Sequence, residues 1–305
     1  MRLSRWGRSP YETEAALAAE RAAFAGLVEP VAAGADAEIV VVTSKDPVGP
    51  AQRGALGAAR LVLTTTSGFD HLDLPMLRAM GIAVGRCPIA RRDAVVESAL
   101  ALLLDGVRAH GALRAAAAAG SWARAALPGL GMGRLRGARV GVVGLGVIGQ
   151  RMAEVLAALG AEVLGVDPLG LPAGLRAAEL GEVMETADAL TLHCRLEAGS
   201  AGLIDAALLA RAKPGLVLVN TARGDVLDVP AAIAALDAGR LGALGLDVFP
   251  TEPWPDMAAA ASRPGLTLLP HAAGYYEGLS AAVQAELLAA VHAFVEGRPL
   301  PAPVG

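Results

Sequence analysis

The chain has 305 residues, 54% of them hydrophobic and 18% charged, and a formal net charge of −4. That length exceeds one average domain and calls for two, while the composition suits a well-buried α/β protein and excludes disorder. The acidic balance argues against nucleic acid as a main partner, because phosphate neutralisation needs a basic surface. Apolar runs such as Ser98–Leu104 stop far short of the ~20 residues that cross a bilayer, so no membrane span is expected. The opening MRLSRWGRSPYETE lacks the apolar core of a secretory signal. Cys87 and Cys194, the two cysteines, have neither metal-ligand nor disulfide spacing. A cytoplasmic protein is expected.

Taken in chain order, residues 12–25 predict a helix between Pro10 and Gly26. Ile39–Val42 and Leu61–Thr65 are runs of the buried-strand type. Asp73–Met80 predicts a short helix closed by Gly81, followed by strand Ile82–Val84. Alternating strands and helices imply a small parallel sheet. Its first strand is weakly signalled, because MRLSRWG has little β-character. Asp93–His110 predicts a long, mostly buried helix that bridges two domains, and past Gly120 and Trp122 the chain loosens through PGLGMGRLRG. From Ala138 the α/β pattern strengthens: strand Arg139–Val143, helix Ile148–Leu159, then strands Glu162–Val166, Ala189–His193, Leu216–Asn220, Ala243–Asp247 and Leu266–Leu269. Six strands are what a doubly wound sheet requires. Leu279–Glu296 closes the chain as an amphipathic helix able to return to the first domain.

Arg223, Glu252 and His271 each stand just past one of these strand runs. Ligands of an open parallel sheet bind outside the carboxyl ends of its strands, so the three side chains can converge on one small molecule. A cation, a carboxylate and an imidazole suit the binding of a 2-oxo acid and the movement of one proton.

A second signal lies upstream. Gly144-Leu-Gly-Val-Ile-Gly149 follows a strand and opens a helix. Gly144 permits the tight turn, Gly146 the approach of a pyrophosphate, and Gly149 close packing of the helix. The diphosphate would rest on the amides of Val147, Ile148 and Gly149, where the helix dipole favours an anion. Asp167 ends the second strand, where an acid accepts ribose hydroxyls. It also repels a 2′-phosphate, and Pro168 and Leu169 follow it instead of an arginine, so NAD is favoured over NADP.

With these motifs the chain resembles the D-2-hydroxyacid dehydrogenase family over nearly its whole length. The matching segments are SGFDHLDL (Ser67–Leu74), GIAV (Gly81–Val84), AVVESALALLL (Ala94–Leu104), GLGVIGQ, LHC (Leu192–Cys194), KPGLVLVNTARGDVLD (Lys213–Asp228), LGLDVFPTEP and PHAAG. The resemblance implies an α/β protein of two doubly wound parallel-sheet domains. A Rossmann cofactor domain, residues 101–277, is inserted into a flavodoxin-like substrate domain, residues 1–100 and 278–305. It also implies a homodimer built mainly on the cofactor domains. By the same resemblance Arg223 grips the substrate carboxylate and carbonyl oxygen, and His271 donates the proton to a 2-oxo acid. Glu252 hydrogen-bonds the imidazole and keeps it protonated. Ser67 and Gly68 present backbone amides to the substrate carboxylate. Thr221 and Ala222 line the nicotinamide side, Asp247 binds its carboxamide, Cys194 lies near the adenosine half, and Ala273 and Gly274 flank the cofactor. His71 reads as a helix-entry residue.

The chain departs from the family pattern at Arg86 (usually Asn), Ile89 (Gly), Arg195 (Pro) and the tyrosines Tyr275 and Tyr276 (smaller residues). These put the substrate in question and leave the mechanism intact. Arg86, Arg91 and Arg92 form a basic run with two readings: a solvated loop, or cations that attract an anionic substrate or clamp a second acidic group. For function, the leading expectation is an NAD-dependent reductase of a small 2-oxo acid. The alternatives are a phosphite-type dehydrogenase of the same superfamily and a dinucleotide-sensing scaffold like the corepressors that share the fold. A formate dehydrogenase is disfavoured, because those enzymes place Gln where Glu252 stands.

Overall fold

Two all-parallel sheets organise the chain in a computed structural model that describes residues 1–34, 36–197 and 199–304. Compact packing divides it into Met1–Arg91 with Tyr276–Gly305, and Arg92–Tyr275.

The first unit begins with β1 (Arg2–Arg5), α1 (Glu14–Phe24), β2 (Glu29–Val31), β3 (Ile39–Val42), β4 (Leu61–Thr64), α2 (Leu74–Ala79) and β5 (Ala83–Arg86). The second runs through α3 (Arg92–Val107), α4 (His110–Ala118), β6 (Arg139–Val143), α5 (Val147–Ala158), β7 (Glu162–Val166), β8 (Arg176–Ala177) and α6 (Leu180–Thr186). It continues with β9 (Ala189–Leu192), α7 (Ala206–Ala210), β10 (Leu216–Asn220), α8 (Val229–Asp237), β11 (Leu241–Leu246), α9 (Met257–Ala260) and β12 (Leu266–Leu268). Helix α10 (Leu279–Val295) returns to the first unit.

In the first unit the strand order is β2-β1-β3-β4-β5, the flavodoxin-like arrangement. Ile39, Val41, Leu61 and Leu63 point to one face, where α10 packs through Leu279, Val283, Leu287 and Val291, a stripe with one residue per helical turn. Val40, Val42 and Val62 fill the other face with Leu77. The weakly signalled β1 forms because it is paired on both sides, with β2 and with β3. Helix α1 starts at Thr13, whose hydroxyl accepts the Ala16 amide at 3.1 Å.

The second unit has seven strands, in the order β12-β11-β10-β9-β6-β7-β8, where the sequence predicts six. The additional strand is the two-residue β8, too short to leave a hydrophobic pattern; its residues are exposed and it is held by pairing with β7. Helix α3 lies wholly in this unit, whereas the sequence-based boundary at residue 100 cuts through it. The reason is steric: at Gly106 a Cβ would stand 2.7 Å from Val217 and 2.8 Å from Ala243, so the helix seats directly on β10 and β11. It also ends at Val107 and not at His110, because Ala109 takes a left-handed turn (φ 49°) before α4.

Candidate active site on the seven-stranded sheet

Three adjacent strands, β10, β11 and β12, carry the three residues singled out by sequence at their carboxyl ends. Arg223 follows β10 in an extended conformation and opens the 3-10 turn Gly224–Val226. Its Nη1 donates to the Ala222 carbonyl at 2.8 Å, and Asn220 clasps the turn by donating to the Arg223 carbonyl and accepting the Ala222 amide. Gly224 is required by contact: a Cβ there would overlap the Phe249 carbonyl carbon and oxygen. The Arg223 loop and the loop that carries Glu252 therefore touch backbone to backbone. Phe249 and Trp254 bracket the latter with stacked rings, 4.7 Å between centroids.

Glu252 Oε1 accepts the Phe249 amide at 3.2 Å, and Oε2 lies 2.7 Å from His271 Nδ1. His271 has φ 55°, uncommon for a residue with a Cβ. Asp247 imposes that turn. Its backbone carbonyl accepts the His271 amide at 2.8 Å, while Oδ1 and Oδ2 accept the amides of Ala272 (2.7 Å) and Ala273 (3.1 Å). Burial pushes the Asp247 carboxyl above its ordinary range, and the two amides oppose that shift. Both of its oxygens are thus engaged in bracing the histidine turn.

Gly144, with φ 86°, presses against β9: a Cβ would stand 2.7 Å from the His193 carbonyl carbon and closer still to the Cys194 amide. Gly149 faces the carbonyl of Gly144 itself, so its missing Cβ lets the first turn of α5 close onto the loop. Gly146 has open space where its Cβ would be. Asp167 ties loop to strand, Oδ2 accepting the Leu145 amide at 2.6 Å and Oδ1 the Leu169 amide at 2.8 Å.

Comparison with known proteins decides the family. Residues 100–273 match the family described as D-isomer specific 2-hydroxyacid dehydrogenase, NAD binding domain. The D-3-phosphoglycerate dehydrogenase of Mycobacterium tuberculosis is 37% identical over 233 residues, which is 74% of this chain and 43% of that protein. The erythronate-4-phosphate dehydrogenase of Salinibacter ruber is 37% identical over 255 residues, 80% of this chain and 59% of that one. The chain belongs to the D-isomer specific 2-hydroxyacid dehydrogenase family. It spans 43% of the length of the phosphoglycerate dehydrogenases it matches. Among solved structures, the apo D-mandelate dehydrogenase of Rhodotorula graminis superposes with a TM-score of 0.85 at 25% identity, covering 100% of this chain and 97% of that one.

The family's NAD-binding domain gives the glycine loop its meaning, and several features of this chain fit the cofactor. The space above Gly146 is open, and the loop opens the twelve-residue helix α5, whose first amides have no intrahelical partner. Thr221 Oγ1 and His193 Nδ1 are buried without a hydrogen-bond partner among the described residues. Burial pushes the Cys194 thiol up to about 11, which makes it inert at neutral pH. His193 has no role in the sequence reading. Its Nε2 lies 3.0 Å from Thr191 Oγ1, its Cβ would touch any Cβ added at Gly149, and burial lowers its pKa to about 4. The histidine of LHC, one residue past a strand that neighbours the glycine-loop strand, is the signal that could have found it.

Ser67 and Gly68 belong to the other unit, on the loop that follows β4. Thr66 Oγ1 donates to the Gly68 carbonyl at 2.8 Å and shapes that loop. His71 precedes α2, with Nε2 3.0 Å from Thr64 Oγ1. The basic run separates: Arg92 falls in the second unit and pairs with Asp93 at 2.8 Å, leaving Arg86 and Arg91 in the first.

Proposed function

We propose that the protein is an NAD-dependent oxidoreductase that interconverts a small 2-oxo acid and its D-2-hydroxy acid, with His271 as acid and base. The observation that carries this reading is the 2.7 Å Glu252–His271 pair, beside Arg223 at the carboxyl ends of three adjacent strands. NAD, when bound, supplies the hydride chemistry.

The residues of the chain do the rest. Glu252 holds Nδ1 of His271, which leaves Nε2 as the atom that gives a proton to the substrate oxygen in reduction and takes it back in oxidation. Arg223 binds the substrate carboxylate with a planar, permanently charged fork, and its charge also stabilises the developing alkoxide. The amides of Ser67 and Gly68 are the second carboxylate anchor. Cofactor contacts fall to Gly144, Gly146, Val147, Ile148 and Gly149 at the diphosphate, and to Asp167 at the ribose through the acceptor capacity its two amide bonds leave free. Cys194, Thr221, Ala222, Ala273 and Gly274 complete the cofactor wall, and Asp247 acts there through the turn it braces.

The chain is assigned to the cytoplasm, in keeping with Cys87 and Cys194 being unlinked. A homodimer is favoured by the segment from α4 through the 3-10 turn Ala123–Gly129, which buries none of its own residues and leaves Trp122 88% exposed.

The test is consumption of NADH and NADPH with glyoxylate, pyruvate, hydroxypyruvate, phenylpyruvate, oxaloacetate and branched 2-oxo acids. Turnover of at least one with NADH preferred is expected. Tight NADH binding with no turnover of any 2-oxo acid overturns the enzymatic reading, and a preference for NADPH overturns the role of Asp167.

A further inference from the structure

We propose, building on the reading of His271 as acid and base, that Ser98 is a positioning residue for that histidine and acts through the carbonyl of Ala273. Helix α3 thereby holds the carbonyl side of a turn whose amide side Asp247 holds.

A serine in the middle of α3 stands out by composition. Its neighbours Ala94–Val96 and Ala99–Leu104 are apolar, and a hydroxyl inside a helix ordinarily bonds back to the carbonyl four residues earlier or faces water. Ser98 Oγ instead donates to the Ala273 carbonyl at 3.2 Å, across 175 positions of sequence. Ala273 is buried, and no other donor among the described residues meets its carbonyl.

The placement of Ser98 follows from how α3 docks. Ser98, Leu102 and Gly106 are spaced by four, so they share one face of the helix. At Gly106 a Cβ would stand 2.8 Å from the Ala243 side chain, and at Gly245 a Cβ would stand 3.0 Å from Leu102 Cβ. The two glycines let α3 and β11 touch in antiparallel sense, Gly106 at Ala243 and Leu102 at Gly245. Four helix residues advance about 6 Å and two strand residues about 6.6 Å, so the steps match. One further step brings Ser98 level with Asp247, and the bond to Ala273 is made there. The amides of His271, Ala272 and Ala273 thus go to Asp247, and the Ala273 carbonyl goes to Ser98. Supports of this kind keep His271 at φ 55°, a backbone state that persists only where its surroundings over-determine it. Loss of the hydroxyl leaves a buried carbonyl unpaired. Pairing it again means shifting the turn, and His271 Nε2 shifts with it.

The test compares Ser98→Val with Ser98→Thr, which are close in shape and differ in the hydroxyl, in the whole chain with NADH and the 2-oxo acid it turns over best. Ser98→Val should lower kcat about tenfold, with KM for the oxo acid and the NADH dissociation constant within about twofold of wild type. Ser98→Thr should restore most of the loss. Ser98→Ala, which removes the hydroxyl without adding bulk, should repeat the Ser98→Val result. All three should melt within about 4 °C of wild type. The second readout needs neither cofactor nor turnover. With isotope-labelled histidine, five ring signals are expected from the five histidines, and His271→Ala identifies one of them. Ser98→Val should shift or broaden the His271 signal and leave those of His71 and His292, which belong to the other unit, in place. Unchanged kcat with an unmoved His271 signal overturns the proposal and leaves the reductase reading intact. A fall in kcat that Ser98→Thr does not restore also overturns it, because the hydroxyl is then not the cause. If no 2-oxo acid turns over and the His271 signal still moves in Ser98→Val but not in Ser98→Thr, the reductase reading falls and the support of the turn by Ser98 stands.

Discussion

The two ends of the seven-stranded sheet build binding groups in opposite ways. Around β6 and β7 the groups proposed to meet a ligand are backbone amides, and side chains serve as braces, as Asp167 does for Leu145. Around β10, β11 and β12 the groups proposed for that task are the side chains of Arg223, Glu252 and His271, and the braces are glycine contacts and amide bonds at Gly224 and Asp247. An amide-built site is written in the glycines that shape it. A side-chain-built site depends on loops meeting, and so on tertiary contact.

The largest effect should come from the side-chain end. His271→Ala should lower kcat for 2-oxo acid reduction by ~10²–10⁴ while the NADH dissociation constant stays within a few-fold; near wild-type turnover would remove His271 as proton donor. At the amide end the contrast lies between two glycines. Gly149→Ala forces a methyl into the Gly144 carbonyl and should weaken NADH binding about 100-fold or unfold the loop, a loss of roughly 3 kcal/mol. Gly146→Ala, with open space around it and φ −68°, should melt close to wild type and lose only NADH affinity. If both variants melted at the same temperature, the steric account of the loop would be wrong.

His193 adds a pH dependence to the amide end. Its folded pKa, about 4, lies below its ordinary 6.5, so the unfolded chain binds the extra proton between those values. Its neutral burial therefore contributes stability that is complete above about pH 6.5 and is lost as pH falls toward 4. Urea unfolding should show a loss on the order of 2 kcal/mol from this group across that window, and His193→Gln should flatten the slope there. An unchanged slope would relocate the acid sensitivity. The smallest effect is expected at Glu252, a positioning residue: Glu252→Gln should reduce kcat about tenfold with KM for the oxo acid nearly constant. A change in KM alone would assign Glu252 to binding.

Legibility followed the same division. The strand-loop-helix-acid pattern of Gly144–Asp167 can be read from sequence because every feature is local. Placement of Arg223, Glu252 and His271 at strand ends was also visible, but the bracing role of Asp247 was not, since its partners lie about 25 residues away. Strand β1 was only weakly signalled, and β2 and β8 escaped because their identity comes from pairing: Glu29 and Pro30 are exposed and Arg176–Ala177 is two residues long. The break at Ala109 escaped because alanine carries no turn signal. The arginine run looked uniform until the chain assigned Arg92 to Asp93 and bound Arg86 and Arg91 to loop carbonyls.

The left-handed backbone at His271 bears on how this protein could evolve. A residue with a Cβ held there carries on the order of 1 kcal/mol of strain, which asparagine or glycine would relieve. Random drift selected for stability alone would thus erode the very position proposed for chemistry. Persistence of an imidazole there has to be maintained by selection on turnover, and a lineage freed from that demand should lose this histidine early, before its fold shows any damage.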